Sequence, residues 1–303
     1  MVQFTTFIGA ICAVLRPIGG FFSNIRSRIL AMRKPRRNAI SAATLVIILS
    51  AAAMWHYHVI VKANMVALLD FPYDRQMSSS PSSPVEPRLV AHAGGAVRGM
   101  TYTNSREALD EHYREGYRLF ELDFHWTSDS RLVLVHDWGT TSMLLGKKPH
   151  VFSYDEFVSS KNRDNLHQLT FEDLREWLRA HRDAFVVTDT KGSNIRFLRY
   201  LQANGGDIRP QLIVQIYRMS ELEAARQLGP RAVWLTVYRY AYPAWALSRI
   251  SGVDAFVIPA ASYSRYRYLM VEERAHFYVH SVPAQSVAET FHRMAGVYGL
   301  YVD

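Results

Sequence analysis

The sequence predicts an α/β fold: a TIM (β/α)8 barrel preceded by an N-terminal transmembrane helix. Three observations carry this reading. Over residues 88–303, nine short apolar runs rich in β-formers alternate with amphipathic stretches. Ionisable residues collect at the C-terminal ends of four successive runs, the end of a barrel strand where active sites are built. And residues 39–61, AISAATLVIILSAAAMWHYHVIV, are 23 residues without Lys, Arg, Asp or Glu, where a spanning helix needs about 20 apolar residues.

Four segments follow in order. Residues 1–38 form a basic leader, expected in the cytoplasm. Arg26, Arg28, Arg33, Lys34, Arg36 and Arg37 precede the uncharged run, and the nearest basic residues after it are Lys62 and Arg75. Positive charge stays on the cytoplasmic side, so residues 39–61 are read as a single span with everything after it across the membrane. The leader is too long for the n-region of a cleaved signal peptide. Trp55 and Tyr57 suit the far interface. Residues 62–87 are a linker, ending in the Ser/Pro-rich PYDRQMSSSPSSPVEP, and residues 88–303 are the barrel domain.

The runs are 89–93, 118–124, 131–137, 184–190, 211–217, 232–238, 254–260, 277–282 and 299–303, with helical patterns at 104–116, 170–181, 219–228 and 284–295. Nine runs exceed eight barrel positions. The second and third are too close for a helical crossover, so one of them belongs to a hairpin or rim segment; spacing alone leaves open which.

Charge excludes one class of partner. The net charge is +8, but residues 1–87 hold nine Lys/Arg against three Asp/Glu, and residues 88–303 hold 26 against 24. The nearly neutral folded part lacks a nucleic-acid footprint, whereas the basic leader suits a membrane surface. With Cys12 the single cysteine, no intrachain disulfide forms.

The strand ends carry the chemistry. His92 ends the first run, Glu121 and Asp123 the second, His136 and Asp137 the third, Asp189 and Lys191 the fourth. Glu121 and Asp123 are two apart and share one face of a strand. Paired carboxylates in a barrel mouth repel, and one divalent cation, Mg2+ or Ca2+, relieves that cost with Asp189 as a third oxygen ligand. Two histidines suit a phosphodiester, one taking a proton from the attacking oxygen and one donating to the leaving oxygen. Lys191 is placed to neutralise the phosphate, and Asp137 to orient a histidine or bind substrate. Trp138, Trp234, Tyr278 and His280 either line a pocket or pack. His125 is expected to point outward into the helix layer. The Tyr/Arg-rich stretch 262–270, SYSRYRYLM, is either a rim for anionic headgroups or a solvated surface.

Four motifs, AHAGG (91–95), TNSREAL (103–109), FELDF (120–124) and LVHDW (134–138), resemble the glycerophosphodiester phosphodiesterase family, which shows H-R-G, E-N-T, E-x-D and H-D at similar spacing. The later Asp189-Thr190-Lys191 is similar to the family's E-x-K, and GVYGLYVD (296–303) to its closing T-D. The resemblance implies a TIM barrel hydrolysing a small phosphodiester or lipid headgroup. It implies His92 and His136 as the acid/base pair and Glu121 and Asp123 as metal ligands. With Asp189 read from its strand end as the third ligand, Lys191, Asn104, Asp137 and Trp138 are the expected substrate-binding residues. Two positions depart: Ala93 stands where the family has Arg, and Thr103 where it has Glu, leaving three carboxylates rather than four. Alternatives are a metal-independent phospholipase C-like enzyme, against which the E-x-D speaks, and an inactive barrel binding lipid headgroups or envelope polymers.

Overall fold

The computed structural model describes residues 47, 50–51, 88–160, 165–239, 242–271 and 276–303. The chain divides into two units, Met1–Lys62 and Ala63–Asp303. In the first, Ile47, Ser50 and Ala51 are described and are helical. The leader 1–38, most of the expected span 39–61 and the linker 62–87 lie outside the described residues. Among the described residues, no helix is long and apolar enough to cross a membrane.

The second unit is a closed barrel. Its strands are β1 (Leu89–Ala91), β2 (Leu119–Trp126), β3 (Leu132–Leu134), β4 (Phe185–Thr190), β5 (Leu212–Ile216), β6 (Ala232–Thr236), β7 (Ala255–Pro259), β8 (Phe277–Val282) and β9 (Gly299–Val302). The order β1-β9-β8-β7-β6-β5-β4-β2 is parallel throughout, and pairing of β1 with β2 closes the ring. The surplus run is the third: β3 pairs antiparallel with the far end of β2, Phe124 opposite Leu134. Residues 127–131 can turn a hairpin but cannot carry a parallel crossover.

Strand alternation sorts the side chains. Val90, Leu119, Val187, Ile213, Trp234, Val257, Tyr278 and Tyr301 fill the barrel interior. Their neighbours Phe120, Leu122, Val186, Leu212, Val214 and Phe256 face the helix layer. Both faces of a parallel sheet are thus covered, which explains why the runs read as continuously apolar. Trp234 and Tyr278 stack in the interior with centroids 4.2 Å apart; they pack rather than line a pocket. Gly299 lets β9 close against β1 and β8, since a Cβ there would lie 2.4 Å from the Arg88 carbonyl oxygen and from the Tyr278 ring.

The helices are α1 (Arg106–Arg114), α2 (Trp138–Leu144), α3 (Tyr154–Ser159), α4 (Phe171–Ala180), α5 (Asn194–Asn204), α6 (Leu222–Arg226), α7 (Ala244–Leu247), α8 (Tyr263–Val271) and α9 (Val287–Arg293). Side chains start the main ones: Ser105 and Ser193 accept from the N–H groups of Ala108 and Arg196, and Thr170 forms a reciprocal box with Asp173. α4 drives Phe171, Leu174, Trp177 and Leu178 into the sheet. Emptying a site like that of Trp177 costs about 3–5 kcal/mol.

Candidate active site

The interior face changes character toward the C-terminal ends of the strands. Two residues beyond the buried Val90, Val187, Tyr278 and Tyr301 stand His92, Asp189, His280 and Asp303, and above Leu119 stand Glu121 and Asp123. The same alternation that fills the barrel with apolar groups below brings these six polar groups together at the mouth.

Glu121, Asp123 and Asp189 are all buried, with one oxygen from each within 4.8 Å of the others. Parallel register sets Asp123 directly beside Asp189. Lys191 sends Nζ between them, 2.7 Å from an oxygen of each. Burial, then the charges of Asp123 and Asp189, push the Glu121 carboxyl well above the usual carboxylate range. Burial would raise Asp189 too. The Lys191 charge and hydrogen bonds from Lys191, Tyr217 and Tyr238 outweigh it and hold that carboxyl low. Lys191 in turn loses solvation, yet the carboxylates around it hold its ammonium well above the ordinary lysine value.

Local backbone places the remaining groups. The AHAGG turn bends through a 3-10 turn, His92–Gly94, with Ala93 at φ 50°. This aims the Ala93 N–H at Glu121 Oε2, 2.9 Å away. Gly95, at φ +97°, passes so close to His112 that a Cβ would lie 2.4 Å from its ring. His92 Nδ1 pairs with the Asp303 carboxylate, 211 residues away, and its Nε2 lies 3.7 Å from Glu121 Oε2 and 3.0 Å from His280 Nε2. Ser281 donates to the other Asp303 oxygen at 2.8 Å.

His136 reaches the mouth by another route. It follows β3, the strand folded back along β2, and so is not at the end of a barrel strand. Tyr102 links the two histidines: its ring centroid is 4.9 Å from His92 and 4.7 Å from His136. Asp137 caps α2 through the Thr140 N–H at 2.7 Å and holds His136 Nδ1 at 3.1 Å, so it orients the histidine.

Three placements correct the sequence reading. Asn104 is fully buried and both ends of its amide are spent on Asp123: Nδ2 donates to Oδ2 at 2.8 Å, and Oδ1 accepts from the Asp123 N–H at 2.9 Å. Its amide is committed to holding a carboxylate. Trp138 is buried in an apolar cluster with Phe152 and Phe157, its Nε1 donating to His125 Nδ1 at 2.9 Å, so it has no free edge for substrate. His125 does not point outward: it is two residues from Asp123, on the same side of β2, where it holds Trp138. Thr103 is buried and bonds Ser105, leaving the acidic set at three. On α8, Arg265, Arg267 and Tyr268 are exposed.

Sequence reasoning missed Tyr102, Tyr217 and Arg239. The Tyr217 hydroxyl donates to Asp189 Oδ1 and accepts from the Thr190 N–H. The Arg239 guanidinium lies 3.7 Å from Asp189 Oδ1 and 3.7 Å over the Tyr217 ring. The sole available signal was position on the active-site face: Tyr217 and Arg239 follow β5 and β6, and Tyr102 lies in the connection after β1.

The donor set fits a hard divalent cation. Three carboxylate oxygens converge, and the buried Asp123 Oδ1 has an ion pair with Lys191 by distance but no aligned hydrogen bond, so its acceptor capacity is unspent. Fully ionised, the three carboxylates would carry more negative charge than Lys191 offsets, and a divalent ion would balance the remainder.

Fold and site define a TIM barrel with a buried carboxylate triad and a histidine at its mouth. This is the fold of the glycerophosphodiester phosphodiesterases. A glycerophosphodiester phosphodiesterase from Parabacteroides distasonis is similar with a TM-score of 0.54, 17% identity, and coverage of 71% of this chain and 92% of its own. One from Thermotoga maritima matches at a TM-score of 0.55 and 14% identity, over 72% and 95% of the two chains. An Oleispira antarctica phosphodiesterase in complex with its product sn-glycerol-3-phosphate matches at 0.55 and 16%, over 71% and 92%. At these identities the likeness is one of fold. No family model matches the sequence, and no curated protein matches it.

Proposed function

We propose that this protein is a phosphoric diester hydrolase of the glycerophosphodiester phosphodiesterase type. It hydrolyses a glycerophosphodiester or phospholipid headgroup phosphodiester, using one divalent cation, Mg2+ or Ca2+, and the pair His92 and His136. The observation that carries this reading is the convergence of Glu121, Asp123 and Asp189 beside His92, with His136 across the Tyr102 ring.

Asp303 holds His92 in the tautomer with its proton on Nδ1, so the Nε2 lone pair faces the mouth and takes a proton from the attacking hydroxyl. His136, its Nδ1 held by Asp137, gives a proton to the leaving oxygen. Lys191 and Arg239 add positive charge toward the anionic diester. A cation held by the three carboxylates would supply further stabilisation of charge on the phosphoryl oxygens.

The uncharged run 39–61 behind six basic residues supports one membrane span, with the barrel on the extracytoplasmic side.

The test is turnover of a phosphodiester panel by the full chain in detergent, with and without chelator. Chelator-sensitive hydrolysis of a glycerophosphodiester or lipid headgroup ester is expected. Full activity in excess chelator would point to metal-independent chemistry, and no turnover of any diester to a binding barrel; either removes the reading.

A further inference from the structure

His280 belongs to no motif discussed above, yet it sits closer to the base nitrogen of His92 than any carboxylate does. It is on the interior face of β8, two residues above Tyr278, and its ring meets His92 edge-on with centroids 4.4 Å apart at 75°. The two Nε2 atoms are 3.0 Å apart. A contact of that length between ring nitrogens is a hydrogen bond with one proton in it. His92 has its proton on Nδ1, against Asp303. The proton between the rings therefore belongs to His280, whose Nε2–H donates into the lone pair of His92.

That lone pair is also the one the attacking hydroxyl needs. A hydroxyl binding His92 Nε2 displaces the His280 N–H and leaves it pointing into the mouth, next to the nucleophile. With a diester bound, the acceptor nearest that N–H would be a non-bridging oxygen of the phosphate under attack. The geometry points to His280 as a further catalytic residue: a neutral imidazole that hands its Nε2–H from His92 to a non-bridging phosphoryl oxygen when the diester binds. No proton is transferred by His280; one hydrogen bond is exchanged for another as negative charge builds on that oxygen. The role differs from that of His136, which protonates the leaving oxygen.

The surroundings suit a neutral donor. Burial above all pushes the His280 imidazole down to about 3, so it is uncharged at neutral pH. Tyr301 and Tyr238 flank the ring, with centroids at 5.0 and 5.9 Å. A neutral histidine donates a hydrogen bond to a developing oxyanion without giving up its proton.

This inference rests on the diesterase reading, and its test keeps the two apart. Two variants of the full chain are compared: His280→Phe keeps a ring and loses the N–H, and His280→Gln keeps a neutral N–H donor. With the diester that the panel identifies, His280→Phe should lower kcat by roughly 10²–10³-fold, the loss typical of one oxyanion donor, and His280→Gln should recover most of it. A purely structural role predicts that both variants lose activity alike, or that neither does; either result overturns the proposal. The second readout needs no turnover. In 15N-histidine-labelled protein with Mg2+, the His280 Nε2–H resonance should shift on adding inorganic phosphate, and an unmoved resonance overturns the proposal. A wild type that hydrolyses no diester removes the diesterase reading, while the phosphate titration still decides whether His280 faces an anion.

Discussion

Asp123 and Asp189 stand directly opposite one another on β2 and β4, and a single lysine ammonium lies 2.7 Å from both. Two buried carboxylates at that separation are stable because Lys191 sits between them. The same ammonium competes with any cation for the Asp123 and Asp189 oxygens.

Lys191→Met is therefore expected to bind Mg2+ or Ca2+ more tightly, by roughly tenfold, and to turn over more slowly because the charge proposed to offset the diester is gone. Titration calorimetry measures the first and steady-state kinetics the second. Weaker cation binding in the variant would mean that Lys191 organises the carboxylates rather than competing for them.

His92→Ala and His136→Ala should each cost at least about two orders of magnitude in kcat, with cation binding retained. The losses should not multiply in the double variant, because the pair acts as a unit. His125→Ala is the control. It should keep kcat but lose stability, about 1–3 kcal/mol for the stranded Trp138 N–H. Retention of more than a tenth of wild-type kcat in either single variant would end the two-histidine mechanism.

Glu121 sets a pH dependence with a definite sign. Its carboxyl is raised in the folded, metal-free protein by burial and by Asp123 and Asp189, so the native state binds more protons than the unfolded state. Its contribution to stability is present below the ordinary carboxyl value and is lost as pH rises from there through the raised folded value. Glu121→Gln should flatten that part of the metal-free profile in thermal unfolding. Cation binding should release a proton, and its affinity should therefore rise with pH. A Glu121→Gln profile superimposable on wild type would show that this carboxyl is not the group responsible.

For the membrane topology, alkaline phosphatase fused after Asp303 should be active and green fluorescent protein at the same position dark. The reverse pattern would place the barrel in the cytoplasm.

Much of the domain was legible because its rules are local. Alternation along each run separates core-facing from helix-facing residues, and a carboxylate or histidine that breaks an apolar run at its C-terminal end marks the active-site face. Hence nine runs, the carboxylates Glu121, Asp123 and Asp189, and His92 and His136 all emerge from sequence. What stayed hidden depends on which strands become neighbours. Closure between β1 and β9 brings Asp303 to His92 across 211 residues. The hairpin of β3 on β2 carries His136 back to the mouth and turns His125 toward Trp138. The backbone of Asn104, at φ 48°, spends its amide on Asp123. Tyr217 and Arg239 acquire roles only because β5 pairs with β4, and β6 with β5, so that both residues reach Asp189. Spacing within a strand follows from bond geometry, but a contact across the barrel requires the ring to close, and only packing of the whole core selects that closure.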